Sequence, residues 1–129
     1  VSDGIIFDHS ALLAVGRGHR QLSGFVVVAL ENPLFTLSVP ALCMAEAVRL
    51  RADISTHLAH LPGVEVASLD RISADTMGRL AAALPAPGWP ALHAVVASLT
   101  SGWEIATTEP GDYKGFGVPV LPVLPRPGD

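Results

Sequence analysis

The groups in this chain best suited to chemistry are carboxylates, and their positions follow a pattern. Asp8 comes directly after the apolar run Gly4-Ile5-Ile6-Phe7. That run reads as a buried strand, so Asp8 is predicted at its carboxyl end. Ile105-Ala106-Thr107 reads as another short strand, followed by Thr108-Glu109, with Asp112 and Tyr113 just beyond. Glu46 lies in a helical stretch, Ala41 to Arg51, from which it can join them. Binding and catalysis in parallel sheets gather at the carboxyl ends of the strands, which is where Asp8 and Thr107-Thr108-Glu109 fall. Asp8 also has a plain structural reading, as a cap for the helix that follows it.

Other polar groups are weaker candidates. Gly16-Arg17-Gly18-His19-Arg20 sets two arginines and a histidine in one loop. Arginine matches phosphate with two parallel hydrogen bonds, so Arg17 and Arg20 are candidate phosphate contacts. An exposed loop joining two helices is the competing reading. The Gly-x-Gly here lacks the Gly-Lys-Ser/Thr of a P-loop. His57 and His60 have the spacing of two metal ligands on a helix, yet no third nitrogen or sulfur ligand stands nearby in sequence, which favours surface histidines. His93 is expected to be packed or hydrogen-bonded, and Cys43 to be a small buried residue. Trp89 and Trp103 flank the helix of His93, where they anchor its ends, meet a second copy or stack on a base.

These residues must be positioned by alternating strands and helices. Ser10 is expected as the N-cap of a short helix over Ala11–Val15, which Gly16-Arg17-Gly18 ends. A second helix is predicted over His19–Leu30, stopping before Asn32-Pro33, and a strand over Phe35–Val39. Pro40 suits the first turn of the Ala41–Arg51 helix, with Leu42, Ala45 and Leu50 as its core positions. A short helix over Ile54–His60, a strand over Val64–Leu69 and a helix over Asp70–Leu84 follow. Pro85-Ala86-Pro87-Gly88 is a loop, Ala91–Leu99 a helix, and Val118–Val123, broken by prolines, an edge strand or extended tail. The pattern points to a mostly parallel sheet of four or five strands covered on both faces.

Composition narrows the function classes. The 129 residues fit one domain, 1–129, with 124–129 as a loose tail. Half the residues are hydrophobic and 16% are charged, with a mean hydropathy of +0.45. Even so, the longest apolar run, Phe25 to Leu30, is far short of the roughly 20 residues of a membrane span. That run suits either the core or an interface. No basic stretch followed by an apolar segment opens the sequence, so no secretory signal is expected. One cysteine fits a reducing cytoplasm. A net charge of −4 argues against a broad basic surface for nucleic acid.

Four of these segments, in this order, resemble the PIN-domain ribonucleases. Ile5-Ile6-Phe7-Asp8-His9-Ser10-Ala11-Leu12-Leu13-Ala14 is similar to the family's opening strand, aspartate and nearby serine. Val39-Pro40-Ala41-Leu42-Cys43-Met44-Ala45-Glu46-Ala47 resembles its Val-Pro step and glutamate-bearing helix. Ala91 to Leu99 is similar to a later alanine-rich helix, and Thr107-Thr108-Glu109 to the threonine-x-aspartate that closes the site. The resemblance runs from about Ile5 to Val120, and VapC-type toxins of toxin–antitoxin pairs are the subgroup most like it.

The resemblance implies a three-layer α/β/α domain and a cluster of four acids. Such a cluster binds Mg2+ or Mn2+, which activates water against single-stranded RNA. Asp8, Glu46 and Glu109 match three of those acids, Asp112 is a candidate substitute for the last, and Ser10 and Thr107 match the hydroxyls that hold ligands or phosphate. The third acid has no counterpart, because Ala86-Pro87-Gly88-Trp89-Pro90 contains no carboxylate. Two carboxylates about 5 Å apart repel by roughly 3 kcal/mol at an effective dielectric near 20. If Asp8, Glu46 and Glu109 share one pocket, at least one carboxylate pKa should therefore be raised. The expected function is thus a VapC-like ribonuclease with impaired or lost activity. The alternative is an inactive PIN-fold module that acts through homodimer or antitoxin contacts.

Overall fold

The computed structural model describes residues 3–59 and 61–124, so His60 and the predicted tail from Pro125 lie outside the described residues. The chain runs β1 (Asp3–Phe7), α1 (His9–Gly16), α2 (Arg20–Glu31), β2 (Phe35–Pro40), α3 (Ala41–Leu50), α4 (Ile54–Ala59) and β3 (Val64–Ala67). It continues through α5 (Arg71–Ala83), α6 (Trp89–Ser101), β4 (Ile105–Thr107), a 3-10 turn (Pro110–Tyr113) and β5 (Val120–Pro122). The sheet has five strands in the order β3-β2-β1-β4-β5, and all neighbours are parallel. Strand order therefore grows outward from β1 in one direction and then restarts at β4 on its other side. Such a reversal opens a crevice at the carboxyl ends of the two strands. Asp8 and Thr107 stand at that crevice.

Alternation along the strands feeds two apolar layers. Ile5, Phe7, Leu37, Val39 and Ala106 face α1, α2 and α4, where they pack with Leu12, Leu22, Ala29 and Ile54. Ile6 and Ile105 face the other way, toward α5 and α6, and meet Met77, Leu92, Val95, Tyr113 and Phe116. The helix α3 serves both layers, with Ala47 in the first and Cys43 in the second. Its buried residues are thus Cys43 and Ala47, one helical turn apart, rather than the predicted Ala45 and Leu50. Ala45 and Leu50 are both exposed.

Capping corrects several predicted boundaries. The N-cap of α1 is Asp8, not Ser10: the Asp8 carboxylate accepts from the Ala11 N–H, and Ser10 lies inside the first turn. His19 caps α2 by accepting the Leu22 N–H at Nδ1, and Asp70 caps α5, so the predicted strand over Val64–Leu69 ends at Ala67. Because His19 Nδ1 accepts, its proton sits on Nε2 and is donated to the Leu124 carbonyl at 2.8 Å. Leu124 is thereby tied to the domain through its carbonyl, with its side chain exposed. Pro40 offers α3 no side-chain cap, but His93 Nδ1 of α6 accepts the Leu42 N–H at 3.3 Å and clasps the two helices. The helix α6 starts at Trp89, with Pro90 in its first turn, and ends at Gly102 in the left-handed conformation.

Gly4 lies near the start of the strand that delivers Asp8, and a Cβ there would lie 2.6 Å from the Thr36 carbonyl oxygen and 2.7 Å from the Trp103 ring. Gly4→Ala should therefore lower stability by about 1–3 kcal/mol, the usual cost of overpacking. A shifted urea midpoint with an unchanged slope would register it, and an unaltered midpoint would contradict this packing.

Candidate functional site

The Asp8 carboxylate is fully buried and every one of its observed partners is a donor. Oδ1 accepts from the Ser10 hydroxyl at 2.7 Å and the Ala11 N–H at 3.0 Å. Oδ2 accepts from the Tyr113 hydroxyl at 2.6 Å. One hydroxyl carries one proton, so the direction of the remaining bonds follows. Ser10 gives its proton to Asp8 and must accept from its other neighbours. These are the Thr107 hydroxyl at 3.1 Å and the Thr108 N–H at 3.0 Å. Thr107 then accepts the Glu109 N–H at 2.9 Å. A directed chain thus runs from the backbone after β4, through two hydroxyls, to a carboxylate after β1.

The predicted acids do not converge as this carboxylate's co-ligands. Glu46 pairs with Arg49 one helical turn on, and that guanidinium lowers its carboxyl pKa below the ordinary value. Its side chain borders a cleft of about 220 Å³ with His9, Pro87, Pro90 and Ala91. Glu109 borders a different cleft of about 260 Å³, with His9, Ser10, Arg17 and Thr108. Arg17 and Arg20 are both exposed, and Arg20 borders neither cleft. Asp112 rides on the 3-10 turn. Among the described residues no three His, Cys, Asp or Glu side chains are grouped to hold a metal ion. Asp8 thus stands without a second acid grouped beside it among the described residues, and a lone buried carboxylate is a poor donor set for a divalent cation.

The Asp112 carboxyl pKa is raised by burial and then by the charge of Asp8, with His9 opposing. Burial and Asp8 also push up the Cys43 thiol, which is buried and donates to the Pro90 carbonyl at 3.1 Å. The Tyr113 phenol is raised far above its ordinary value by burial and by Asp8, so it stays a donor. His93 is held below its ordinary value by burial, a packed and hydrogen-bonded residue as expected.

Two residues escaped the sequence reading. His9 borders both clefts, and its Nδ1 is buried without a hydrogen-bond partner. Its place directly after Asp8 was the available signal. Tyr113 is the sole tyrosine and follows the last acidic cluster, but only its fold-back onto Asp8 reveals its part. The acid-free segment behaves as its composition requires. Gly88 caps α6 with no side-chain hydrogen bond, and Trp89 is largely exposed.

No protein-family model matches the chain, and no curated protein matches it in sequence. Among solved structures it is similar to a chain of VapBC2 from Rickettsia felis, a complex solved bound to a DNA fragment from its promoter. The TM-score is 0.69 at 12% identity, over 92% of this chain and 98% of that one. That likeness shows the fold: a PIN-like α/β/α arrangement around a parallel five-stranded sheet.

Asp8→Asn removes an acceptor from the Tyr113 hydroxyl and should destabilise the protein by about 1–3 kcal/mol. Denaturant melts read this directly, and a stabilised variant would show that carboxylate repulsion dominates the pocket. The raised acid of Asp112 gives a pH signature. Its folded pKa lies above the unfolded value of about 3.9, so its contribution is intact below that value and is lost as pH rises through the folded one. Asp112→Asn should melt higher than wild type at neutral pH, and the gap should close as pH falls below about 4. A gap independent of pH would place the effect in packing instead.

Proposed function

We propose that this chain is a PIN-fold component of a toxin–antitoxin-like pair that works through protein contacts, its RNA-cleaving chemistry weak or lost. The observation that carries the loss of chemistry is that Asp8 is buried among Ser10, Ala11 and Tyr113 with no second acid grouped beside it among the described residues. Metal-assisted hydrolysis needs carboxylate oxygens free to meet a cation and a water. Here the acids are spent on a helix cap, an ion pair with Arg49 and separate clefts. Any Mg2+ or Mn2+ binding would be weak for that reason.

Partner binding draws support from the structural neighbour, which belongs to a two-component complex. It also has a physical basis in α2. That helix buries Leu22 and Ala29 against the core and sets Phe25 edge-on to Phe7 and stacked on Phe35, yet it leaves Val27, Val28 and Leu30 exposed. Leu34, just beyond, is exposed as well. Exposed apolar side chains in one short stretch of chain suit a protein partner, either an antitoxin or a second copy of the chain. Among the described residues no helix is long and apolar enough to cross a membrane. A cytoplasmic place follows only from the toxin–antitoxin reading.

The second reading, a surviving single-strand ribonuclease, is favoured by the placement of Arg17, His9, Ser10 and Glu109 around one cleft. Purified protein incubated with single-stranded RNA and Mg2+ or Mn2+ separates the two. The proposal expects no cleavage above a chelator-treated control. Metal-dependent cleavage that disappears in Asp8→Asn would overturn it. Co-expression with the product of an adjoining small reading frame should yield a complex that co-elutes on size exclusion. Val28→Glu should weaken that complex by roughly tenfold or more, since it buries a charge against an apolar partner.

A further inference from the structure

We propose that the cleft between α6 and the β2–β3 half of the sheet binds a guanidinium group, held by Glu65, Trp103 and nearby hydroxyl oxygens. The cleft shares no residue with the Asp8 pocket and does not depend on the toxin–antitoxin reading. Ile6, Ser38 and Glu65 are register partners across β1, β2 and β3, so all three face the α5–α6 side. Ile6 is covered there by the apolar layer, but Ser38 and Glu65 open on a cleft of about 230 Å³. Thr100 and Ser101 of α6 also line it, as does Trp103, whose indole packs against Gly4. A volume below the roughly 300–1,000 Å³ of drug-sized pockets suits a single functional group.

Ser38 is the residue that points to a ligand. It is 5% exposed, lines the cleft, and has no hydrogen-bond partner among the described residues. A buried hydroxyl left unpaired costs stability unless water or a ligand in the cleft bonds it. The neighbouring groups decide which ligand suits. The Thr100 hydroxyl gives its one proton to the Val96 carbonyl at 2.9 Å, and the Ser101 hydroxyl gives its own to the Ala97 carbonyl at 2.8 Å. Both oxygens therefore keep only lone pairs for a ligand. Buried His93 accepts the Leu42 N–H at Nδ1 and is kept neutral by desolvation. Glu65 is thus the one charge among the lining side chains. Acceptors, a carboxylate and an indole together select a cation rich in donors. Guanidinium fits better than ammonium, because its planar fork spreads N–H donors over several acceptors and it stacks on aromatic rings. A phosphate would meet Glu65 with no cation to offset it.

N-methylguanidinium alone is the first probe, read by the indole N–H resonances in proton–nitrogen NMR. The chain has two tryptophans, and Trp89→Phe identifies which resonance belongs to Trp103. The Trp103 resonance should shift saturably at millimolar probe. That of Trp89, 56% exposed and outside the cleft, should not. Urea, planar and donor-bearing but uncharged, should bind at least about tenfold more weakly. Glu65→Gln, on the edge strand β3, should weaken N-methylguanidinium binding by roughly tenfold, and Ser38→Ala by roughly two- to tenfold. No saturable shift in wild type, an equal response at Trp89, equal binding of urea or unaltered affinity in Glu65→Gln overturns the site. The wild-type comparison of N-methylguanidinium with urea decides the matter even if a variant does not fold. The source of the group is read with Nα-acetyl-arginine methylamide. Binding at least as tight as that of N-methylguanidinium assigns the cleft to an arginine side chain of a protein. Weaker binding or exclusion of the blocked residue assigns it to a small free cation.

Discussion

A carboxylate buried at the reversal point of a parallel sheet organises much of this molecule. Asp8 has given up water entirely, and the cost of stranding it must be met by fixed donors. Those donors come from two separate stretches of chain: the first turn of α1 and the crossing after β4. Meeting the need of one side chain thus couples the entry to α1, the end of β4 and the 3-10 turn. The Ser10–Thr107 contact, between residues far apart in sequence, is part of the same coupling.

The rest of the fold holds that coupling in place by division of labour. One apolar layer carries α1, α2 and α4, the other carries α5 and α6, and α3 joins both through Ala47 and Cys43. Close packing makes such layers stiff. Stiffness matters because Glu46 and Glu109 sit on different elements, one on α3 and one after β4. They border different clefts, with His9 shared between them. A metal site demands convergence within a few tenths of an ångström, and convergence is what this arrangement does not supply.

The same scaffold can therefore serve different ends according to a few polar choices. A parallel sheet with a crevice at its switch point is a general platform, and fold alone fixes no activity. Here the crevice is filled by the protein's own hydroxyls and a phenol. The more open features lie at its margins and on the exposed side of α2, where Val27, Val28 and Leu30 remain in solvent. The buried polar groups at the centre and the exposed apolar side chains at the periphery are different residues, so either set can change while the other persists.

Much of this was legible in the sequence by itself, because it depends on local periodicity and on short-range stereochemistry. The apolar run before Asp8, the Val39-Pro40 step, the helix carrying Glu46 and the Ile105-Ala106-Thr107 strand all appear as read, and the order of strands and helices implied a parallel sheet. The absence of an acid between Ala86 and Pro90 was equally plain. What the sequence could not assign was which polar groups would meet. Asp8 rather than Ser10 caps α1 because the chain turns at Asp8, and Glu46 turns to Arg49 because the two share a helix face. Tyr113 reaches Asp8 across 105 positions of chain only because β5 pairs parallel to β4 and draws the crossing over the sheet's end. Local sequence sets which elements form, since their signals repeat within a turn or a strand. Tertiary structure alone decided the fate of the carboxylates, since desolvation and donor geometry exist only once distant segments are brought together.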